Sequence, residues 1–298
     1  MRRRFFLVFN PTAGTSRAHA VEALVHALEQ DCATVERGIA LTADDARVDA
    51  SVAARSGKFD ALIACGGDGT VRQVAAAAVG TDCPVGAFML GTGNVLAHEL
   101  GLSCKPEAVA RSLLKGPTQS VRMGLANGEP FLLMVGCGLD GRIISNLDQG
   151  LKQRIAKLAY VPAKLKTLAA PIDNLAVTID GKTHLGVAWA IVTSASRYGG
   201  AFRLTAQTSL KQDGLVAVLF YARRKTDLLR HAFSIARGNL DAVQLQAGSD
   251  VVMAACQSVT ITSVAGVPVQ VDGDAFGTTP VAVVADGPTV KLIVPPRP

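Results

Sequence analysis

The chain has 298 residues, 49% of them hydrophobic and only 18% charged, with a formal net charge of +6. That balance excludes a disordered chain, and no window offers the roughly 18 uninterrupted apolar residues of a membrane-spanning helix. The length suits about two ordinary domains, and the positive charge favours anionic partners (nucleotide, nucleic acid or acidic lipid) without choosing among them.

The N-terminal MRRRFFLVFNP has the basic start of a secretory signal. Its apolar run over residues 5–9 stops at Asn10-Pro11, however, short of the roughly 7–15 residues such a signal needs. It reads as a first strand, residues 4–9, followed by a loop over residues 10–14. Ser16 then caps a helix whose apolar stripe is Val21, Leu24, Val25 and Leu28. A short strand near residues 35–41 leads into a helix over about residues 43–55, with Val48 and Val52 pointing inward. Residues 59–65 are the compact apolar run of a buried parallel strand. The glycine loop over residues 66–70 opens a helix bearing Val71, Val74, Ala75 and Ala78. Residues 85–90 form the next strand, and a second glycine loop follows over residues 91–94. It leads into a helix over residues 95–100, which Gly101 stops. Alternation of this kind predicts a Rossmann-like, doubly wound α/β domain over residues 1–122, with ligands at the carboxyl ends of its strands. All three polar-glycine loops fall there.

After Met123 strand-like segments dominate: residues 131–139, 175–179, 185–195, 215–221, 251–261, 267–271, 281–284 and 290–294. Asp-Gly pairs at 180, 213, 272 and 286 mark turns between them, and a single helix lies near residues 226–237. This half is predicted to be an antiparallel β-sandwich over residues 123–298. The six cysteines show no C-x-x-C spacing and read as buried thiols of a reducing cytosol; His98 and Trp189 read as packing residues.

The strongest chemical signal is Cys65-Gly66-Gly67-Asp68-Gly69-Thr70, set between a buried strand and a helix. Its glycines allow backbone N–H groups to approach an anion, and the helix N-terminus adds partial positive charge. A carboxylate there repels phosphate unless a divalent cation intervenes, so Asp68 points to a Mg2+-nucleotide or an anion-orienting role. Gly66-Gly67-Asp68-Gly69 can also be only a tight turn. Neither a Walker loop nor a G-x-G-x-x-G fingerprint is present.

Asn10-Pro11-Thr12-Ala13-Gly14, the G-G-D-G-T loop and Gly91-Thr92-Gly93-Asn94 together resemble the diacylglycerol kinase catalytic family, which includes sphingosine and ceramide kinases and, more remotely, NAD kinases. Val135-Gly136-Cys137-Gly138-Leu139-Asp140 is similar to that family's G-x-G-F-D-A strand. Leu210-Lys211-Gln212-Asp213-Gly214-Leu215 is similar to its D-D-G-x-L segment, and Val269-Gln270-Val271-Asp272-Gly273-Asp274 to its D-G-E turn.

The resemblance implies an ATP- and Mg2+-dependent kinase of a lipid hydroxyl, on diacylglycerol, a sphingoid base or monoacylglycerol. ATP would be held by Asn10, Pro11, Thr12, Ala13 and Gly14, by Thr42, by Gly66, Gly67, Asp68, Gly69, Thr70, Val71 and Arg72, and by Gly91, Thr92, Gly93 and Asn94. A structural Mg2+ would sit at the Asp213 carboxylate and the carbonyls of Leu210 and Leu215. Asp272 and Asp274, with Asp68, would be the catalytic acids, and Asp140 would serve the acceptor pocket. Two positions depart from the family pattern: Asp274 replaces a glutamate, and Val95 follows Asn94 where many bacterial members carry aspartate.

Two rival readings are an NAD kinase-like enzyme and a catalytically weak lipid- or nucleotide-binding protein. The expected partners are ATP, a lipid acceptor and an anionic membrane surface touched peripherally from the cytoplasm. No nucleic acid is expected, and homodimerisation is left open. A basic stretch over residues 149–172 (Lys152, Arg154, Lys157, Lys164, Lys166) reads either as a membrane-facing lip or as a solvated face. Arg223-Arg224-Lys225 reads as a helix-flanking charge cluster.

Overall fold

In a computed structural model, residues 1–9, 15–40, 42–146 and 170–296 are described. The chain divides into two compact units, Met1–Arg122 joined by Pro288–Pro298, and Met123–Gly287.

The first unit runs β1 (Arg4–Phe9), α1 (Thr15–Gln30), β2 (Thr34–Ile39), α2 (Ala43–Arg55), β3 (Ala61–Gly66), α3 (Asp68–Ala78), β4 (Val85–Met89), α4 (Val95–Leu100), α5 (Pro106–Lys115) and β5 (Thr118–Arg122). Its sheet has the order β2-β1-β3-β4, with β1 parallel to both neighbours and β3 parallel to β4. The central strands are apolar without alternation, as befits strands covered on both faces: Phe5, Leu7, Val8, Leu62, Ile63 and Ala64 are all buried. Val21, Leu24, Val25 and Leu28 of α1 bury against this sheet, together with Leu113 and Leu114 of α5.

Four local readings change. Helix α1 already includes Thr15, so Ser16 lies within its first turn and is not the cap. Val48 and Val52 are 61% and 69% exposed, and α2 instead turns Ala46, Ala50 and Ala53 inward. Their small side chains, spaced four and three residues apart, let α2 lie close against α3. The helix α5, begun by Pro106 in its first turn, was not anticipated. Finally, β19 (Thr289–Ile293), expected in the sandwich, sits in the first sheet instead, parallel to β4 and antiparallel to β5. Its buried Val290, Leu292 and Ile293 close the core between them.

The second unit runs β6 (Gly124–Ala126), β7 (Glu129–Phe131), β8 (Met134–Cys137), α6 (Leu139–Ser145), β9 (Leu175–Ile179), β10 (Lys182–Thr193), β11 (Arg197–Tyr198), β12 (Phe202–Arg203), β13 (Leu215–Tyr221), α7 (Lys225–Arg237), α8 (Leu240–Gln244), β14 (Val251–Cys256), β15 (Ser258–Thr262), β16 (Pro268–Val271), β17 (Asp274–Thr278) and β18 (Val281–Val284). Its main strands form one curled antiparallel sheet, β17-β16-β8-β10-β9-β15-β18-β6-β7, with β13 joining β10 to β14. Alternation places Leu175, Val177 and Ile179 of β9 in the core, where they meet Val187, Val192, Val259, Val269 and Val283. The tight turns Asp180-Gly181 and Asp272-Gly273 have positive φ at both central residues (44° and 87°, 49° and 85°), the signature of type I′ hairpins. The stretch 131–139 is not one strand. Gly138, at φ 80°, ends β8 and starts α6.

All six cysteines are free. Cys65, Cys137 and Cys256 are buried as expected, but Cys32 and Cys104 are exposed. His98 lies on the surface, whereas Trp189 is buried and stacked on Phe220 at 4.3 Å between ring centres.

Candidate active site

The strand order of the first sheet reverses between β1 and β3, so its topological switch point lies at the carboxyl ends of those two strands. The β1 loop, Asn10 to Gly14, lies outside the described residues. The β3 loop is shorter than the sequence suggests. β3 runs through Gly66 and Gly67 is the N-cap of α3, so Asp68, Gly69 and Thr70 form the helix's first turn. Their backbone N–H groups are among the donors a helix start leaves without intrahelical partners, which is the basis of an anion site. Val71 and Arg72, one turn further on, are buried in α3.

Adjacent β4 brings the second glycine loop beside the first, and Leu90 N–H donates to the Gly66 carbonyl at 2.8 Å. A Cβ on Gly91 would stand 2.8 Å from Gly67 Cα, so the two loops meet backbone to backbone. Asp68 clasps them. Its two carboxylate oxygens accept from Val95 N and Leu96 N, each at 3.0 Å, at the start of α4. The charge of Asp68 is met by amides of the neighbouring helix, which lessens its repulsion of a phosphate and the need for a cation between them. Asn94, in a left-handed conformation, has a buried Oδ1 that faces Gly91 and accepts no hydrogen bond among the described residues. Thr92 and Gly93 complete that loop. The side chain of Val95 is buried just behind it. Thr42 stands at the start of α2, where its Oγ1 accepts from Asp45 N and its own N–H donates to the Asp45 carboxylate.

In the second unit, the hairpin β16–β17 carries Asp272 and Asp274, and the structure separates them. Asp272 is 5% exposed, and its carboxylate accepts from Leu132 N (2.8 Å), Leu133 N (2.9 Å) and Met134 N (2.9 Å). Those bonds pin the turn to the strand ahead of it. Asp274 is only partly covered at the start of β17, where it pairs with Val271 across the ladder.

Asp140 lies in the first turn of α6, 5% exposed. Burial raises its carboxyl to about 6, while Tyr198, Trp189 and Gln270, donors around it, pull the other way. Tyr198 OH donates to one carboxylate oxygen; the other faces the Trp189 indole N–H and the Gln270 amide without a well-formed hydrogen bond among the described residues. Gly136 makes room for this meeting, since a Cβ there would stand 2.5 Å from Asp140 Oδ2 and 2.6 Å from Gln270 Nε2. The other end of Gln270 accepts from Gly273 N at 2.8 Å, so Asp140 and the Asp272–Asp274 turn share one buried amide as neighbour. Gln270 belongs to the motif read from sequence but has no role assigned there, although a lone glutamine in the strand Val269-Gln270-Val271 is a visible break in apolar texture.

Leu210 and Asp213 stand on the loop ahead of β13, and Leu215 is the first residue of that strand. Leu210 and Leu215 are buried and Asp213 is exposed. Most of the basic stretch, residues 149–169, lies outside the described residues. Arg142, midway along α6, forms an ion pair with Asp173, close to where the described chain resumes.

A doubly wound layer with paired glycine loops, followed by an antiparallel β unit, is an arrangement shared with known proteins. The diacylglycerol kinase catalytic domain matches residues 4–126, and the YegS C-terminal NAD kinase beta sandwich-like domain matches residues 133–294. The chain belongs to this lipid kinase-like family. A "Putative lipid kinase" of Staphylococcus haemolyticus is 26% identical over 232 residues, covering 76% of this chain and 74% of its own. An uncharacterized protein of Synechocystis is 28% identical over 78% of this chain, which spans only 54% of that protein's length. Among solved structures, a "putative diacylglycerol kinase" from Bacillus anthracis shares the fold with a TM-score of 0.74, at 20% identity over 98% of both chains.

Proposed function

We propose that the chain is an ATP- and Mg2+-dependent lipid kinase, transferring phosphoryl to a hydroxyl of diacylglycerol or a related lipid, a sphingoid base or monoacylglycerol. The observation that carries this reading is the division of labour in the acidic turn. Asp272 is buried with its carboxylate on three backbone amides, whereas Asp274 is only partly covered, and in this reading Asp274 is the base. The lipid hydroxyl gives its proton to Asp274 as its oxygen bonds to the transferred phosphorus and ADP departs. General-base help of this kind is worth about 10²–10⁴-fold.

The remaining work is positioning and charge neutralisation, as phosphoryl transfer requires. The first-turn amides of α3 and the loop over Gly91 to Asn94 receive phosphates, and Asp68 acts by holding those loops together. The acceptor end takes Asp140. The Asp213 carboxylate and the Leu210 and Leu215 carbonyls are hard oxygen donors of the kind Mg2+ takes, and a single carboxylate suits an ion that retains several waters. When bound, the ion would fix the loop ahead of β13. A lipid acceptor implies work at the cytoplasmic face of a membrane.

The test is incubation with labelled ATP, Mg2+ and a total lipid extract. Label on an extracted lipid is the expected result. Label on added NAD would favour an NAD kinase-like enzyme, and nucleotide binding without any labelled product would leave a binding protein.

A further inference from the structure

The outward face of α7 has no partner among the described residues. Leu228, His231, Ser234 and Ile235 turn inward, but Leu229 and Phe233, one turn apart, are 51% and 57% exposed, and Ala232 and Ala236 extend their stripe. On β12, which packs against α7, Phe202 is 48% exposed. A helix with apolar residues on both its buried and its solvent side exceeds what its own core requires, and such patches mark interaction sites.

The charge around the stripe is one-sided. Arg203, Arg223, Arg224 and Arg237 are exposed, and among the described residues none of them forms an ion pair. The nearby carboxylates are spoken for. Asp227 accepts from the backbone N–H groups of Arg223 and Arg224, Asp250 pairs with Arg230, and Asp241 accepts from Thr205 and Ala206. The Arg237 guanidinium lies over the Phe233 ring, 4.4 Å from its centre, so cation and apolar surface are presented together. Large apolar groups rimmed by cations fit an interface whose outer layer is anionic and whose interior is hydrocarbon.

We infer that the outward face of α7, with Phe202 of β12, docks on an anionic lipid bilayer, Leu229 and Phe233 entering the headgroup boundary while Arg223, Arg224 and Arg237 meet lipid phosphates. This surface is distinct from the acidic turn and would stand even if the phosphoryl acceptor were not a lipid.

The test is co-sedimentation of the full chain with phosphatidylcholine vesicles, with and without about one third phosphatidylglycerol. The wild type is expected on anionic vesicles only, with binding weakened by salt. Arg223→Gln with Arg224→Gln should lower the partition about 25-fold, at roughly fivefold per cation. Leu229→Ser with Phe233→Ser should lower it at least about tenfold. Because all four side chains are exposed, circular dichroism and melting temperature serve as fold controls and should not move. The inference is overturned if wild type ignores anionic vesicles or if both double variants bind as it does. It is equally overturned if only substitutions at Lys152, Arg154 and Lys157 reduce binding. A loss of self-association in Leu229→Ser/Phe233→Ser by sedimentation velocity, with vesicle binding intact, would make the face a contact between copies instead. Vesicle binding lost while detergent-dispersed lipid is still phosphorylated confirms docking and kinase reading separately; vesicle binding without any phosphorylation leaves docking intact and removes the kinase.

Discussion

Replacing Asp140 by asparagine should remove a titration that the protein's single tryptophan can report. The carboxyl of Asp140 ordinarily ionises near 3.8 and burial lifts it to about 6. Asparagine keeps the shape and an acceptor for Tyr198, but it cannot ionise. The sign follows from which form the fold prefers. A raised carboxyl favours its neutral state, so the contribution is fully present below about pH 4, where the unfolded chain is also protonated. It is lost as pH climbs through about 6, when the buried group must charge. The interval between 3.8 and about 6 corresponds to on the order of 3 kcal/mol.

Trp189 lies beside this group, its ring 4.3 Å from Phe220 and 6.0 Å from Tyr198. Cys137, which also neighbours Asp140, is kept neutral because burial pushes its thiol up. The native emission of Trp189 should therefore shift with a midpoint near pH 6 in the wild type and stay flat in Asp140→Asn. Urea midpoints read on the same signal should show the variant gaining on the wild type between pH 4 and 7. A wild-type emission without inflection between pH 5 and 7, or the same inflection in the variant, would refute the reasoning.

Asp272→Ala leaves three buried amides without acceptors, at about 1–3 kcal/mol each, and forces alanine into a left-handed conformation. It should destabilise the fold by at least about 3 kcal/mol in a denaturation curve, whereas Asp274→Ala should cost clearly less stability and lose phosphoryl transfer about a hundredfold or more. Asp68→Ala frees Val95 N and Leu96 N, so it should cost about 1–3 kcal/mol and weaken nucleotide binding, measured by calorimetry; unchanged affinity would show that the clasp between the glycine loops is dispensable. Val95→Asp puts a carboxylate at a buried position beside Asp68, where like charges at close range oppose one another. A lower melting temperature and no gain on diacylglycerol are expected, and a tenfold rise in that activity would show the site to be a damaged diacylglycerol kinase.

Much of this was legible because it is local. Glycine loops at strand ends, the continuous apolar texture of β3 and the Asp-Gly hairpins at 180 and 272 all follow from short-range rules of φ and burial. What was not legible depends on partners distant in sequence. Hydrophobicity favours Val48 and Val52 for the core of α2, but the close approach of α3 selects alanine. The two aspartates of the hairpin look alike in sequence. Only the amides of Leu132, Leu133 and Met134, about 140 residues earlier, decide which one is structural. Asp68 reads as a phosphate-side acid until the start of α4 appears next to it.

The placement of β19 between β4 and β5 has a consequence for the order in which the molecule can be made. As the polypeptide emerges, residues 1–122 supply the glycine loops and all the helices of the first unit, yet β4 and β5 have no strand to join them. That strand arrives only after the whole second unit has been synthesised. Until then the edge of β4 offers unpaired N–H and C=O groups, a template for wrong pairing. The half that carries the glycine loops is thus completed last although it is begun first, and a chain stopped before Thr289 would release an intact β unit attached to an open sheet.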